Sequence, residues 1–288
     1  MSTQPYVNEE IRLNEGSFAG VDGLKIFTRS WQPVGTPRAI LVIVHGFNSH
    51  SGHYLWVGEQ FAKNGLAVYA LDLRGRGKSE GERYHVERIE DYIDDVDTLV
   101  EMAKAKHPGL PVFLLGHSAG GVISCVYTLD HQAKLAGLIC ESFAHELPAP
   151  DIALAVLKGL SHIVPNAHVL RLDNNGFSRD PKVVEALKSD PFVADEVQPA
   201  ETIAAMLRGD ERLKQGFSQI TLPVLIMHGT DDKVTRPSGS QHFYDMAGST
   251  DKTLKLYEGH FHDLLNDIDK EVVLADIRQW IDVRVPAA

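Results

Sequence analysis

The chain has 288 residues, is 43% hydrophobic and 23% charged, and carries 28 basic against 39 acidic side chains, a net charge of −11. That length suits one large core, the apolar content excludes wholesale disorder, and a surface of that sign repels nucleic-acid phosphates. The two cysteines, Cys125 and Cys140, both lie in apolar stretches and read as buried free thiols, which fits a cytoplasmic setting. The start "MSTQPYVNEE" has neither the basic residues nor the apolar run of a secretory signal, and no stretch approaches the roughly 20 apolar residues of a membrane span.

In chain order, the first segment through "GLKIFTRSWQP" alternates apolar with polar residues around "VDG", which predicts an antiparallel hairpin at a sheet edge. From residue 38 the pattern changes. "AILVIVHG", "LAVYALDL", "PVFLLGHS" and "LAGLICES" are short continuous apolar runs, the signature of parallel strands buried on both faces. Helical stretches lie between them; in one, Ile89, Ile93, Val96, Leu99, Val100 and Ala103 recur at helical spacing until "HPG" ends it. The alternation predicts a doubly wound α/β sheet.

That rhythm breaks after residue 142. Residues 143–217 show no buried-strand run but include an apolar helix, "DIALAVLKGLSHIV", and a polar loop, "LDNNGFSRD". Strand and helix then alternate again through "LPVLIMHG" and "KTLKLYEG" to a final amphipathic helix near "IRQWIDVRV". We therefore expect one core, 1–142 with 218–288, carrying a helical insertion at 143–217. The apolar helix would look the same lining a lipid channel, touching a membrane surface, or buried between insertion and core.

"GHSAG", residues 116–120, falls between a predicted strand and a predicted helix, the setting of a nucleophile elbow. A serine displayed there sits in a strained turn, and Gly116, Gly120 and Gly121 spare it collisions. A serine hydroxyl is a weak nucleophile, so Ser118 needs a base and an acid to orient that base. Both are expected later in the chain, on loops after strands. "VLIMHGTDDKVT" offers Asp231 and Asp232, and "LKLYEGHFHDLL" offers His260 and His262; position four counted from the glycine selects Asp232 and His262. The loop of His45, Gly46 and Phe47 follows an early strand, so the Phe47 and Ala119 amides are candidate oxyanion donors. His45, His50 and His53 lack the spacing of a closed metal site. No metal and no organic cofactor is expected.

Together "HGFNSHSGHY", "LDLRGRGKSEGER", "LLGHSAGG", "SDPF", "PVLIMHGTDDKV" and "KTLKLYEGHFHDLLND" resemble the monoacylglycerol lipase family of α/β-hydrolases, close to lysophospholipase-like serine hydrolases. The resemblance implies an α/β-hydrolase fold with a helical cap and cleavage of single-chain lipid esters through an acyl-enzyme on Ser118. It also implies a small lipid ester as partner; transient contact with a membrane surface through the cap is an expectation drawn from the apolar helix alone. Where the family carries an acidic residue, an arginine and a second histidine at its alcohol pocket, this chain has Ser49, His53 and Leu265. The alternatives are a lysophospholipase or a short-chain esterase using the same triad, and, of another class, a non-catalytic ligand receptor on the same scaffold.

Overall fold

The apolar runs form strands where they were expected, and their alternation sorts the core. The computed structural model describes residues 11–145 and 163–285, together with residues 7, 8, 159 and 161. The hairpin pairs β2 (Ile11–Ala19) with β3 (Lys25–Pro33) in antiparallel register, closed by Gly20 N–H donating to the Leu24 carbonyl at 2.8 Å. The short β1 (Val7–Asn8) lies outside β2. Next come β4 (Ala39–Val44), β5 (Leu66–Leu71), β6 (Val112–His117) and β7 (Gly137–Glu141), every residue of them buried. After the insertion, β10 (Val224–Gly229) and the edge strand β11 (Lys252–Tyr257) complete a nine-stranded sheet ordered β1-β2-β3-β5-β4-β6-β7-β10-β11. All pairings from β5 to β11 are parallel, and those from β1 to β5 through β3 are antiparallel.

Successive strand residues point to opposite faces. Ile40, Val42, Val44, Val112 and Leu114 enter one apolar cluster, whereas Ala39, Leu41, Ile43, Phe113 and Leu115 enter another. The first cluster is covered by α2 (Ile89–Lys106) and α3 (Ala119–His131); the second by α1 (Leu55–Lys63) and the C-terminal helix (Lys270–Asp282). Helices on both faces explain why these strands read as continuous apolar runs.

Between β7 and β10, no described residue joins the large sheet. This stretch contains β8 (His168–Leu170) and β9 (Gln198–Pro199), paired antiparallel, then α4 (Pro181–Ser189) and α5 (Ala200–Gly216), which packs on α3. The two short strands were not anticipated. The apolar helix expected at 151–164 lies largely outside the described residues. In chain order α6 (Pro237–Met246) follows β10, which makes the C-terminal helix α7. The carboxyl ends of β4, β6, β10 and β11 lie along one edge of the sheet, where an open α/β sheet presents its ligand crevice.

Candidate active site

Ser118 follows directly on β6 and caps α3, with φ 56° and ψ −118°, a backbone conformation that a residue bearing Cβ adopts only under constraint. The constraint is a set of close approaches. Ser118 N–H donates to the Glu141 carbonyl at 2.9 Å, and its own carbonyl accepts from Gly121 N–H at 2.9 Å. A Cβ on Gly116 would stand 2.4 Å from the Gly120 carbonyl oxygen, and one on Gly120 would stand 2.2 Å from that of Val44. Only glycine lets strand and helix meet there. Gly116 and Gly120 thus answer to the expectation for this turn, whereas a Cβ on Gly121 would meet nothing nearer than 3.4 Å.

His262 and Asp232 meet on the neighbouring loops. His262 Nδ1 is 2.8 Å from Asp232 Oδ2, and neither side chain has any exposure. Oδ2 also accepts from Thr235 Oγ1 at 2.8 Å and lies 3.0 Å from His228 Nε2, while Oδ1 accepts the Val234 and Thr235 N–H groups at 2.7 and 3.0 Å. Burial alone would raise the carboxyl. The charge of His262 and the hydrogen bonds from His228 and His262 outweigh it and hold Asp232 well below the usual carboxylate range. Asp231, the competing acid, is exposed, and His260 lies instead near Asp267, 3.8 Å away.

The His262 ring is walled by His117 (centroids 4.8 Å apart) and stands edge-on to Phe177 (5.1 Å). His117 immediately precedes Ser118, so the base and the elbow share a wall. Burial drives His117 down to about 4, which keeps it neutral beside His262. His262 Nε2 is buried without a partner, and among the described residues no hydrogen bond joins it to the Ser118 hydroxyl. Such contacts are often long in unliganded enzymes and tighten around substrate.

The loop after β4 packs on the elbow: a Cβ on Gly46 would stand 2.8 Å from Ser118 Cβ and 3.4 Å from Ala119 N. Neither the Phe47 nor the Ala119 N–H has an acceptor among the described residues. His45 holds the loop from below. Its Nε2 accepts from Leu73 N–H at 3.0 Å, so the proton sits on Nδ1 and is donated to the Gly46 carbonyl at 2.7 Å; burial pushes this imidazole down to about 3. From the other side, Asn48 N–H donates to Glu196 Oε1 at 3.0 Å, and the same carboxylate pairs with the buried Arg76, whose guanidinium stacks 4.3 Å from the Phe47 ring. Glu196 belongs to the inserted stretch, and nothing in its local sequence marked it.

A cavity of about 570 Å3 opens at Ser118, Phe47 and Ala119 and continues between Val122, Leu170, Ile203 and Met206. Ser49, His53 and Leu265 are not among its lining residues. Leu265 is fully buried in the second core cluster, its N–H donating to Glu141 Oε1 at 3.0 Å, because the short helix Leu264–Asn266 turns it inward. Ser49 Oγ lies 3.2 Å from His53 Nδ1, and His50 and His53 both reach Asp190 Oδ2, at 2.9 and 3.0 Å. These three could be taken for metal ligands. However, His50 Nδ1 accepts from Gly52 N–H at 3.0 Å, so its Nε2 carries the proton donated to Asp190 and has no lone pair for a cation. His117, Glu141 and Asp263 form a second such group, wholly buried behind the elbow.

A family profile described as "Serine aminopeptidase, S33" (Hydrolase_4) matches residues 35–269. The chain is 36% identical over 271 residues to a protein named monoacylglycerol lipase from Mycolicibacterium smegmatis, covering 93% of this chain and 96% of that one. It is 32% identical over 272 residues to the human protein named monoglyceride lipase, covering 93% and 90%. The crystal structure of a soluble variant of Saccharomyces cerevisiae monoglyceride lipase, in complex with a substrate analog, superposes with a TM-score of 0.84 at 25% identity, covering 100% of this chain and 97% of that one. The chain belongs to the Hydrolase_4 family, among its monoacylglycerol lipase-like α/β-hydrolases.

Proposed function

We propose that this carboxylic ester hydrolase cleaves monoacylglycerols to glycerol and fatty acid through an acyl-enzyme on Ser118. The observation that carries the reading is the His262–Asp232 pair. Its carboxylate is saturated by donors and its imidazole Nε2 has no partner among the described residues, next to a serine that opens on a cavity walled on one side by Val122, Leu170, Ile203 and Met206. The names of the relatives support the same substrate class.

In this mechanism Asp232 keeps the proton of His262 on Nδ1, leaving the Nε2 lone pair free to take the Ser118 proton as Oγ attacks the ester carbonyl. The oxyanion moves toward the Phe47 and Ala119 N–H groups, which cost no reorganisation because no described residue accepts from them. His262 returns its proton to the departing alcohol; water activated by the same Nε2 then releases the acid. Residues 143–217 act as the cap, since Leu170, Ile203, Met206 and Leu207 come from that stretch and line the cavity. No helix among the described residues is long and apolar enough to cross a membrane. Contact with a lipid surface through the cap is supported by Ile163, 78% exposed near the end of the segment read as an apolar helix.

The test is kcat/KM for monooleoylglycerol, lysophosphatidylcholine, p-nitrophenyl acetate and an aminoacyl anilide, measured side by side. The reading predicts monooleoylglycerol highest. A preference for acetate makes the protein a short-chain esterase, for the lysolipid a lysophospholipase, and for the anilide an aminopeptidase; each overturns the proposal.

A further inference from the structure

The cavity at Ser118 is not uniformly apolar. One face of α5 runs along it, presenting Ile203, Met206 and Leu207 and then, one and two turns further, Asp210 and Lys214. At 1.5 Å of rise per residue, Asp210 lies about 10 Å along the helix from Ile203. Against Asp210 stands His145, in the loop after β7. Its Nδ1 is 2.5 Å from Asp210 Oδ1, and the two side chains are only 2% and 9% exposed. The other carboxylate oxygen receives Lys214 Nζ at 3.1 Å. The imidazole is held flat between the rings of Phe143 (5.5 Å, 12°) and His242 (5.2 Å, 20°).

A carboxylate only accepts, so the Nδ1 of His145 carries a proton and the atom left for the cavity is Nε2, which no described residue partners. The arrangement resembles that of Asp232 and His262 in setting a carboxylate on Nδ1, with no described residue on Nε2, on a wall of the same cavity. Ester cleavage at Ser118 makes no use of it. A buried ionisable pair in a lipid-lined space carries a desolvation cost that a plain alkyl chain does not offset. A hydroxyl offsets it in either protonation state, donating to the neutral imidazole or accepting from the imidazolium.

We propose that His145, held by Asp210, binds a hydroxyl group carried on the acyl chain of the substrate, so that esters of hydroxylated fatty acids are selected over plain esters of the same length. The inference rests on the reading above, in which Ser118 cleaves the ester and the acyl chain lies along the apolar face of α5.

The test compares kcat/KM for p-nitrophenyl esters of plain, ω-hydroxy and ω-methoxy fatty acids over a series of chain lengths, in the wild type, His145→Phe, His145→Gln and Asp210→Asn. His145→Phe keeps a flat ring between Phe143 and His242, and His145→Gln keeps a polar group. At the length that brings the hydroxyl to His145, the wild type should favour the hydroxy ester by about fivefold to tenfold, the worth of one hydrogen bond. That ratio should fall to unity in His145→Phe and persist in part in His145→Gln, and the methoxy ester, which accepts but cannot donate, should not exceed the hydroxy ester. If the ratio is unity at every length in the wild type, or is unchanged by His145→Phe, the proposal is wrong. If all esters lose the same factor in the variants, His145 is a structural tie between loop and helix, and the proposal is equally wrong. Turnover of the plain ester by the wild type reports separately on Ser118. Calorimetric binding of the free ω-hydroxy and plain acids to Ser118→Ala reads the same preference without turnover.

Discussion

Asp232→Asn is the most informative single substitution, because the surroundings dictate how the new side chain must sit. Asp232 Oδ1 accepts two backbone N–H groups, from Val234 and Thr235, at 2.7 and 3.0 Å. An amide NH2 there would face two donors and leave both unsatisfied, at about 1–3 kcal/mol each. The asparagine oxygen therefore keeps the Oδ1 place, and its NH2 faces His262 Nδ1, Thr235 Oγ1 and His228 Nε2. Thr235 can rotate its hydroxyl to accept, so the fold survives. His262 cannot both donate and face a donor; its proton moves to Nε2, and the lone pair needed for Ser118 is gone. In a Ser-His-Asp triad that tautomer error lowers kcat about 10⁴-fold, or about 5 kcal/mol of transition-state stabilisation. The assay is kcat on monooleoylglycerol together with the rate of fluorophosphonate labelling, with circular dichroism to confirm folding. A folded Asp232→Asn protein within tenfold of the wild-type kcat would refute the reasoning, as would equal damage from the exposed Asp231→Asn.

Three further outcomes follow from the packing around this site. Gly120→Ala places a Cβ 2.2 Å from the Val44 carbonyl oxygen and forces α3 off β4; overpacking of about 1–3 kcal/mol should appear in urea denaturation, with fluorophosphonate labelling slowed at least tenfold. Glu196→Ala strips the buried Arg76 of its carboxylate and Asn48 N–H of its acceptor; a loss of about 3–5 kcal/mol is expected by urea denaturation, and an unchanged midpoint would contradict it. Burial, and then the neighbouring Asp263, push the Glu141 carboxyl well above its ordinary value. Above the unfolded value the native state holds a proton that the unfolded chain has released, so this group's stabilisation is complete at low pH and declines as pH rises toward the folded value. Its contribution has a slope of at most about 1.4 kcal/mol per pH unit, and Glu141→Gln should remove that slope, so that the variant gains on the wild type from pH 5 to pH 8.

Much of this was legible in the residues because the signals are local. Apolar runs marked the parallel strands, since both their faces are covered, and "VDG" between alternating segments marked the hairpin. The choice of Asp232 and His262 over their neighbours came from turn spacing, and the loops do bring that pair together. What escaped is what depends on distant partners. Glu196 meets Arg76 across 120 positions, and His145 meets Asp210 across 65. Neither residue has a sequence neighbourhood that sets it apart. Strands of three and two residues, as in β8 and β9, are too short to show periodicity. The family resemblance sets Leu265 at the alcohol pocket, in the place of a second histidine, but a tight helical turn sends it into the core.

The central claim, that Ser118 carries the acyl group, is tested most directly by intact-protein and peptide mass spectrometry after rapid acid quench of the enzyme turning over monooleoylglycerol. The account predicts an oleoyl adduct confined to the peptide bearing Ser118, transient in the wild type and absent from Ser118→Ala. An adduct on another residue, or steady hydrolysis by Ser118→Ala, would contradict it.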